Sequence, residues 1–237
     1  GAGPAGIATI GVLHDLGVPY KKIAWVDPEF KVGRIGKYYQ NVPANNPTGP
    51  LIDFINACQT FSECTSNSLT ELRAQDPKQF PTLGIFVPAL QDITDYLRTQ
   101  IPNYQDKINR LNFNNSLWQA KIGTTILSAR HVVLAIGSHP KELSYDNTTV
   151  IPLDHALDKA TLADHVKPEH TIGVFGGSHS GILVVKYLYE LDVHKIINFY
   201  QSPIVYTIDM GTWTLNAYDG LKGSTAEWAR TVLEGEN

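Results

Sequence analysis

Gly1-Ala2-Gly3-Pro4-Ala5-Gly6 opens the chain, and Ile7, Ile10, Leu13 and Leu16 follow at near-helical spacing up to Gly17. This is a G-x-G-x-x-G turn running into a helix that closes on a glycine cap. Lys22-Ile23-Ala24-Trp25-Val26-Asp27 then reads as a short buried strand ending in a carboxylate, about 20 residues beyond the turn. Glycines at positions 1, 3 and 6 allow a tight turn, approach of the backbone to a pyrophosphate, and close packing of helix on strand. The helix start offers free N–H groups and the positive end of its dipole to the phosphates. Asp27 can accept hydrogen bonds from both hydroxyls of an adenosine ribose. Glu29 is a weaker candidate for that acid; as a loop residue it also fits a solvated charge.

A turn of this kind normally follows a buried strand. A central parallel strand cannot be omitted without leaving its neighbours' backbone groups unpaired. The first residue is Gly1 and the one methionine is Met210. The expectation is therefore a fragment, or a missing strand supplied by another segment or another chain. The tail from Val232 to Asn237 brings no element that would close a domain.

The same unit recurs about 170 residues on. Thr171-Ile172-Gly173-Val174-Phe175 reads as a buried strand and enters Gly176-Gly177-Ser178-His179-Ser180-Gly181. An apolar helix over 182–191 and a strand over 195–200 follow. Ser178 replaces the middle glycine; its Cβ crowds the pyrophosphate approach, while its hydroxyl can donate to phosphate. A degenerate unit kept for packing is the competing reading. His179 suits either a phosphate contact or a turn cap. Tyr200-Gln201-Ser202-Pro203 carries neither the acid that holds a free ribose 2′-hydroxyl nor an arginine for a 2′-phosphate. NAD and NADP thus stay equal alternatives.

Between the two units, residues 28–50 are mostly loop, 51–61 form a helix, and 62–88 read as an irregular insertion. Leu90, Ile93, Tyr96, Leu97 and Ile101 share one helical face. Residues 117–137 read as strand-like runs with a turn at Gly123, ending in the apolar Val132-Val133-Leu134-Ala135-Ile136-Gly137, expected as a buried strand. Ser224 with Glu227 spells a capping box for a last helix.

The 237 residues are 43% hydrophobic and 18% charged, enough apolar content for a core and too little charge for a disordered chain. A net charge of −4 lacks the basic stripe of a nucleic-acid binder, and no apolar run is long enough to span a bilayer. Cys58 and Cys64 make no disulfide framework, and their spacing matches no redox pair. His165 and His170 have no clustered partners, so no metal is expected. Ser178-His179-Ser180 does not spell a hydrolase elbow. The balance points to a cytoplasmic protein with no nucleic-acid or membrane partner.

Two dinucleotide turns with an Ala-Ile-Gly segment between them resemble the flavoproteins with two dinucleotide-binding domains. Gly1, Gly3, Pro4, Ala5 and Gly6 match their FAD turn. Val132 to Pro140 resembles their A-T-G strand, with Ile136 in the Thr position, which places Ala135 and Gly137 beside FAD. Tyr39-Gln40-Asn41-Val42-Pro43-Ala44-Asn45-Asn46-Pro47 is similar to the Y-x-S-L-x-T-N-x-P segment of flavin-containing monooxygenases, and Asn45 falls on their active-site Asn. Ser180-Gly181 matches the close of their second turn. Asn41, Ala44 and Ser178 depart from the pattern, and His155 stands without the rest of the F-x-G-x-x-x-H fingerprint. The C-terminal Gly-Asp segment of such families is not found.

The resemblance implies an α/β protein of two Rossmann-like dinucleotide-binding domains with parallel sheets. Residues 1–150 would bind FAD and residues 151–237 NAD(P)H, through Gly176, Gly177, Ser178, His179, Ser180 and Gly181. NAD(P)H would reduce the flavin, which passes electrons to O2 and a small nucleophilic substrate. Two rivals are a flavin reductase acting on a small acceptor and a non-catalytic flavoprotein or interaction module.

Overall fold

A computed structural model describes residues 1–142 and 144–235. The reading of the tail extends onto Glu236 and Asn237, which lie outside the described residues. The chain forms two compact units that interleave along the sequence. The first comprises Gly1–Gln40, Gly49–Asp76 and Gly84–His139; the second comprises Asn41–Thr48, Pro77–Leu83 and the chain from Pro140 onward.

The first unit is built on α1 (Pro4–Asp15), with Gly3 as its N-cap and a proline in its first turn, where no N–H is needed. Gly17, at φ 88°, takes the left-handed conformation just past the helix end. β1 (Trp25–Val26) comes next, then α2 (Gly33–Tyr38), α3 (Gly49–Asn56), α4 (Gln59–Ser62), α5 (Asn67–Arg73) and α6 (Val87–Gln100). β2 (Asn103–Tyr104) pairs parallel with β1, Trp25 opposite Asn103. β3 (Ile108–Asn114), β4 (Leu117–Ile122) and β5 (Thr125–Ala129) form an antiparallel meander.

The core of this unit gathers Ile7 and Ile10 of α1, Phe30, Phe61, Leu69 and Leu72, and Leu90, Ile93 and Leu97 of α6. Each such side chain contributes roughly 1.5–3 kcal/mol by leaving water. Gly11 lets α4 approach α1: a Cβ there would sit 2.7 Å from the Phe61 ring and 2.8 Å from the Cys58 sulfur. Asp15 fixes the same contact by accepting from the Gln59 and Thr60 backbone N–H groups at 2.8 and 2.9 Å.

The second unit contains α7 (Leu153–Ala156), α8 (Lys159–Ala163), β6 (Thr171–Phe175), α9 (His179–Glu190) and β7 (Lys195–Phe199). β6 and β7 run parallel with Thr171 opposite Lys195 and Phe175 opposite Phe199. A small antiparallel pair, β8 (Ile208–Asp209) and β9 (Thr214–Leu215), precedes α10 (Gly223–Trp228), which continues as a π-helical turn over Ala229–Leu233. Ile182, Leu221, Ala226 and Ala229 close a core under α9 and α10.

Four expectations need correction. The run Val132–Gly137 is not a buried strand: Val133, Leu134 and Ile136 are 60, 63 and 78% exposed. An apolar run becomes a strand only when a neighbour takes up its N–H and C=O groups, and among the described residues none forms that ladder. Residues 62–88 are not merely irregular, because α5 lies within them, N-capped by the Ser66 hydroxyl, which accepts from Leu69 N–H at 3.2 Å. Ser224 caps nothing: α10 starts one residue earlier, its N-cap is Lys222, and no side chain caps it. The parallel sheets are each only a pair of strands among the described residues, so the architecture is α/β without an extended sheet.

Candidate functional site

The first glycine turn is held in place by backbone bonds. Gly1 N–H donates to Val26 O at 2.9 Å, and its carbonyl accepts from the Trp25 indole at 2.9 Å. A Cβ at Gly1 would collide with the Ala135 carbonyl, and one at Gly6 with the Gly1 carbonyl. Gly1 therefore lies between β1 and the segment at Ala135, and both glycines are there for close approach. Gly6 and Ile7 both donate to Gly3 O, at 2.9 and 3.1 Å. Ala5 is the helix-end donor ahead of these bonds, since Pro4 has no N–H.

Asp27 is buried, with 8% exposure. Its Oδ2 accepts from Ala2 N–H at 2.7 Å, and its Oδ1 accepts from Glu29 and Phe30 N–H at 2.8 and 2.6 Å. The carboxylate thus locks the glycine turn to the loop after β1. Of about four lone-pair sites on a carboxylate, three are taken by backbone donors. Glu29 is engaged elsewhere, in an ion pair with Lys37 at 2.6 Å.

Two further groups at this turn were not singled out in the sequence. Gly33, at φ 60°, faces Gly3; a Cβ on Gly33 would lie 3.2 Å from the Gly3 Cα. Arg34 follows it, donates to His139 Nδ1 at 2.8 Å and to the Tyr39 hydroxyl at 3.2 Å, and stacks 5.0 Å from the Tyr38 ring centre. A guanidinium only donates, so the His139 Nδ1 it meets is unprotonated. The pair brings a permanent cation to the segment that carries Ala135 and Gly137. The sequence signal was a Gly-Arg pair in a glycine-rich loop, too common to stand out.

The second turn sits at the junction of β6 and α9. Gly176 takes φ 127°, a conformation that side chains resist, and its N–H donates to Phe199 O at 2.8 Å. Asn198 Nδ2 donates to the carbonyls of Val174 and Gly176 at 3.0 and 2.8 Å, pinning the turn to β7. A Cβ at Gly177 would lie 2.9 Å from that of Tyr200, and one at Gly181 would strike the Gly176 carbonyl. Ser178 is the exposed N-cap of α9 and makes no capping bond with its side chain. Ser180 lies in the helix's first turn. A cavity of about 590 Å³ opens on the turn, running from Phe175 and residues 176–178 to residues 199–203, with Val205 and Asp219 on its wall.

Asn45 belongs to this second unit. Its loop is fastened by Ala44 N–H to Pro81 O at 2.8 Å, Thr48 N–H to Gln79 O at 2.9 Å, and Asn41 Nδ2 to Asp158 Oδ2 at 2.8 Å. His179 Nε2 adds a bond to Pro43 O at 3.1 Å. Asn45 Oδ1 is buried with no hydrogen-bond partner among the described residues, as is His179 Nδ1. Burial pushes the His179 pKa below its usual value and Lys222 lowers it further, while the Pro43 carbonyl opposes the shift. Both cysteines are buried free thiols whose pKa values burial raises, so neither is an activated nucleophile. His155 Nδ1 and His165 Nε2 lie 2.9 Å apart, and the described residues hold no cluster of three or more metal-ligating side chains. No helix among them is long and apolar enough to cross a membrane.

Each turn runs into a helix start and holds glycines where a Cβ would collide: Gly1 and Gly6 in the first, Gly177 and Gly181 in the second. No family model matches the chain. Over its whole length it is similar to the monooxygenase AgnR1 of Paecilomyces divaricatus, 30% identical across 269 aligned positions that cover 67% of that protein. Among solved structures, the flavin-containing monooxygenase of Stenotrophomonas maltophilia superposes with a TM-score of 0.63 at 13% identity, over 98% of this chain and 65% of that one. A doubly substituted variant of that enzyme gives 0.62 at 13% identity, over 98% and 66%. These structures share the fold. The chain spans about two thirds of the length of the relatives it matches.

Proposed function

The chain belongs to the flavin-containing monooxygenase family, and from that premise we propose that the whole protein binds FAD at residues 1–6 and NAD(P)H at residues 176–181 and oxygenates a small nucleophilic substrate. Bound FAD would supply the redox chemistry, taking a hydride from NAD(P)H and delivering electrons to O2. The observation that carries this reading is the pair of glycine turns in one chain, each running into a helix and each with a glycine where a Cβ would collide with backbone.

The roles proposed for the chain's own residues follow from their chemistry. Ala5 and the start of α1 offer donors to the FAD pyrophosphate, and Arg34 adds a fixed positive charge. Asp27 shapes the turn through its three backbone bonds, with one lone-pair site left for a ribose hydroxyl. The N–H groups at the start of α9, and the Ser178 hydroxyl, offer donors to the second pyrophosphate. Asn45 presents an amide that can both donate and accept, and its unpartnered buried Oδ1 is in keeping with an atom kept for a ligand. The buried free thiols fit a reducing compartment, the cytoplasm.

The test is to purify the whole protein, measure flavin per chain, and follow NAD(P)H oxidation and peroxide release with and without candidate amine and sulfide substrates. Oxygenation predicts that a good substrate lowers peroxide released per NAD(P)H consumed. NAD(P)H oxidation with all electrons recovered in an added acceptor, and no oxygen in any product, would instead support a reductase.

A further inference from the structure

We propose that the cavity between the end of α3 and the face of α5, in the first unit, binds a small hydroxyl-rich organic oxyanion through Arg73. The cavity measures about 620 Å³, and none of the residues proposed for the two dinucleotides lines it. The proposal therefore stands apart from both glycine turns. Apart from Cys64, every lining side chain carries a hydroxyl, an amide or a guanidinium, and the one charged group among them is Arg73. The neighbouring carboxylate of Glu63 is not on the wall; it accepts from the Tyr20 and Tyr96 hydroxyls at 3.1 and 2.7 Å.

Arg73 Nε donates to Asn56 Oδ1 at 3.0 Å, which ties the guanidinium of α5 to the end of α3. Its Nη1 and Nη2 groups have no hydrogen-bond partner among the described residues, and neither do the Thr65 hydroxyl and the Asn67 amide. Asn56 takes the Arg73 bond on its oxygen, so its Nδ2 still has hydrogens to donate. The Ser66 hydroxyl accepts from Leu69 N–H at 3.2 Å and keeps its own proton for a ligand. Thr70 Oγ1 donates to Ser66 O at 3.1 Å and keeps lone pairs that can accept. A guanidinium with both terminal nitrogens free meets two oxygens of a phosphate or carboxylate in a fork. The amide and hydroxyl donors around it suit further oxygens. A cation would be repelled, and an apolar body would strand the polar wall. A bare phosphate would fill only part of the space, so the ligand carries hydroxyls that the rest of the wall can bond.

The experiment is calorimetric titration of the whole purified protein with glucose 6-phosphate, with gluconate and, as a neutral control, with glucose. We expect saturable binding of at least one of the two anions, weakening as salt is raised, and none of glucose. The stronger of the two identifies the head group as phosphate or carboxylate. Arg73→Gln should weaken that binding at least about tenfold, the size of one charged hydrogen-bonded contact. Arg73→Lys should restore only part of it, because an ammonium lacks the fork. Asn67→Asp puts a carboxylate on the wall at the first turn of α5, where helices favour acids. It should abolish binding without lowering the melting temperature, which keeps the test open should Arg73→Gln fail to fold. Flavin content should stay at the wild-type level in each folded variant. Binding of equal strength in wild type, Arg73→Gln and Asn67→Asp would put the anion elsewhere on the protein and overturn the proposal. Saturable binding of neither anion, or equally tight binding of glucose, would overturn it as well.

Discussion

The imidazole of His179, the first residue of α9, is hydrogen-bonded through Nε2 to the carbonyl of Pro43 at 3.1 Å, across 136 residues of sequence. A carbonyl only accepts, so Nε2 carries the proton. Nδ1, buried and unpartnered, is then the acceptor nitrogen of a neutral ring. The bond joins the second glycine turn to the loop that carries Asn45, two residues beyond Pro43. His179→Ala should cost about 1 kcal/mol in urea denaturation, the net worth of such a bond. It should also raise peroxide release per NAD(P)H consumed. His179→Gln, whose amide can donate to the same carbonyl, should restore both. Loss of stability without any change in peroxide yield would make the contact purely structural.

The same ring sets a pH dependence. Its folded-state pKa lies below the usual value, chiefly through burial. The unfolded chain therefore binds a proton first as pH falls past about 6.5. Stability from the neutral ring is complete above that pH and is lost as pH falls through the lower, folded-state pKa. Comparing urea midpoints of wild type and His179→Gln between about pH 7.5 and about pH 5 isolates the effect. Wild type should lose more stability on acidification than the variant.

Asp27 is predicted to matter for folding as well as for cofactor binding. Removing its carboxylate leaves the N–H groups of Ala2, Glu29 and Phe30 without their acceptor. Each orphaned buried donor costs on the order of 1–3 kcal/mol unless water reaches it. Asp27→Ala should therefore lower both the flavin content and the melting temperature of the flavin-free protein. A carboxylate serving the ribose alone would lose flavin and leave the flavin-free melting temperature unchanged.

Asn45→Ala should leave flavin content and the rate of flavin reduction near wild type while raising peroxide per NAD(P)H, because it removes an amide whose Oδ1 has no partner among the described residues. The alternative is that Asn45 is an ordinary turn former beside Pro47. On that reading the variant changes neither quantity, and the peroxide assay decides.

Local patterns were legible where the structure is decided locally. Helix α1 could be read because its apolar spacing and Gly17 cap act within one stretch of chain. β6, α9 and β7 could be read because parallel burial leaves an apolar run on each side of a glycine turn. Val132–Gly137 could not, since an equally apolar run takes strand form only beside a partner. α5 escaped notice because seven residues hold too few periods to show an amphipathic pattern. At the site, the glycines and Asp27 stood out by spacing. The Arg34–His139 contact and the His179–Pro43 bond span 105 and 136 residues, and no local pattern reports them.

The central claim is that residues 1–6 hold FAD and residues 176–181 hold the nicotinamide that reduces it, and anaerobic mixing of the purified whole protein with NADH and, separately, with NADPH tests it most directly. The account predicts about one FAD per chain, bleaching of its visible absorbance by NADH or NADPH without any added mediator, and return of the colour when O2 is admitted. A protein that carries no flavin, or whose flavin is bleached by dithionite and by neither NADH nor NADPH, would contradict it.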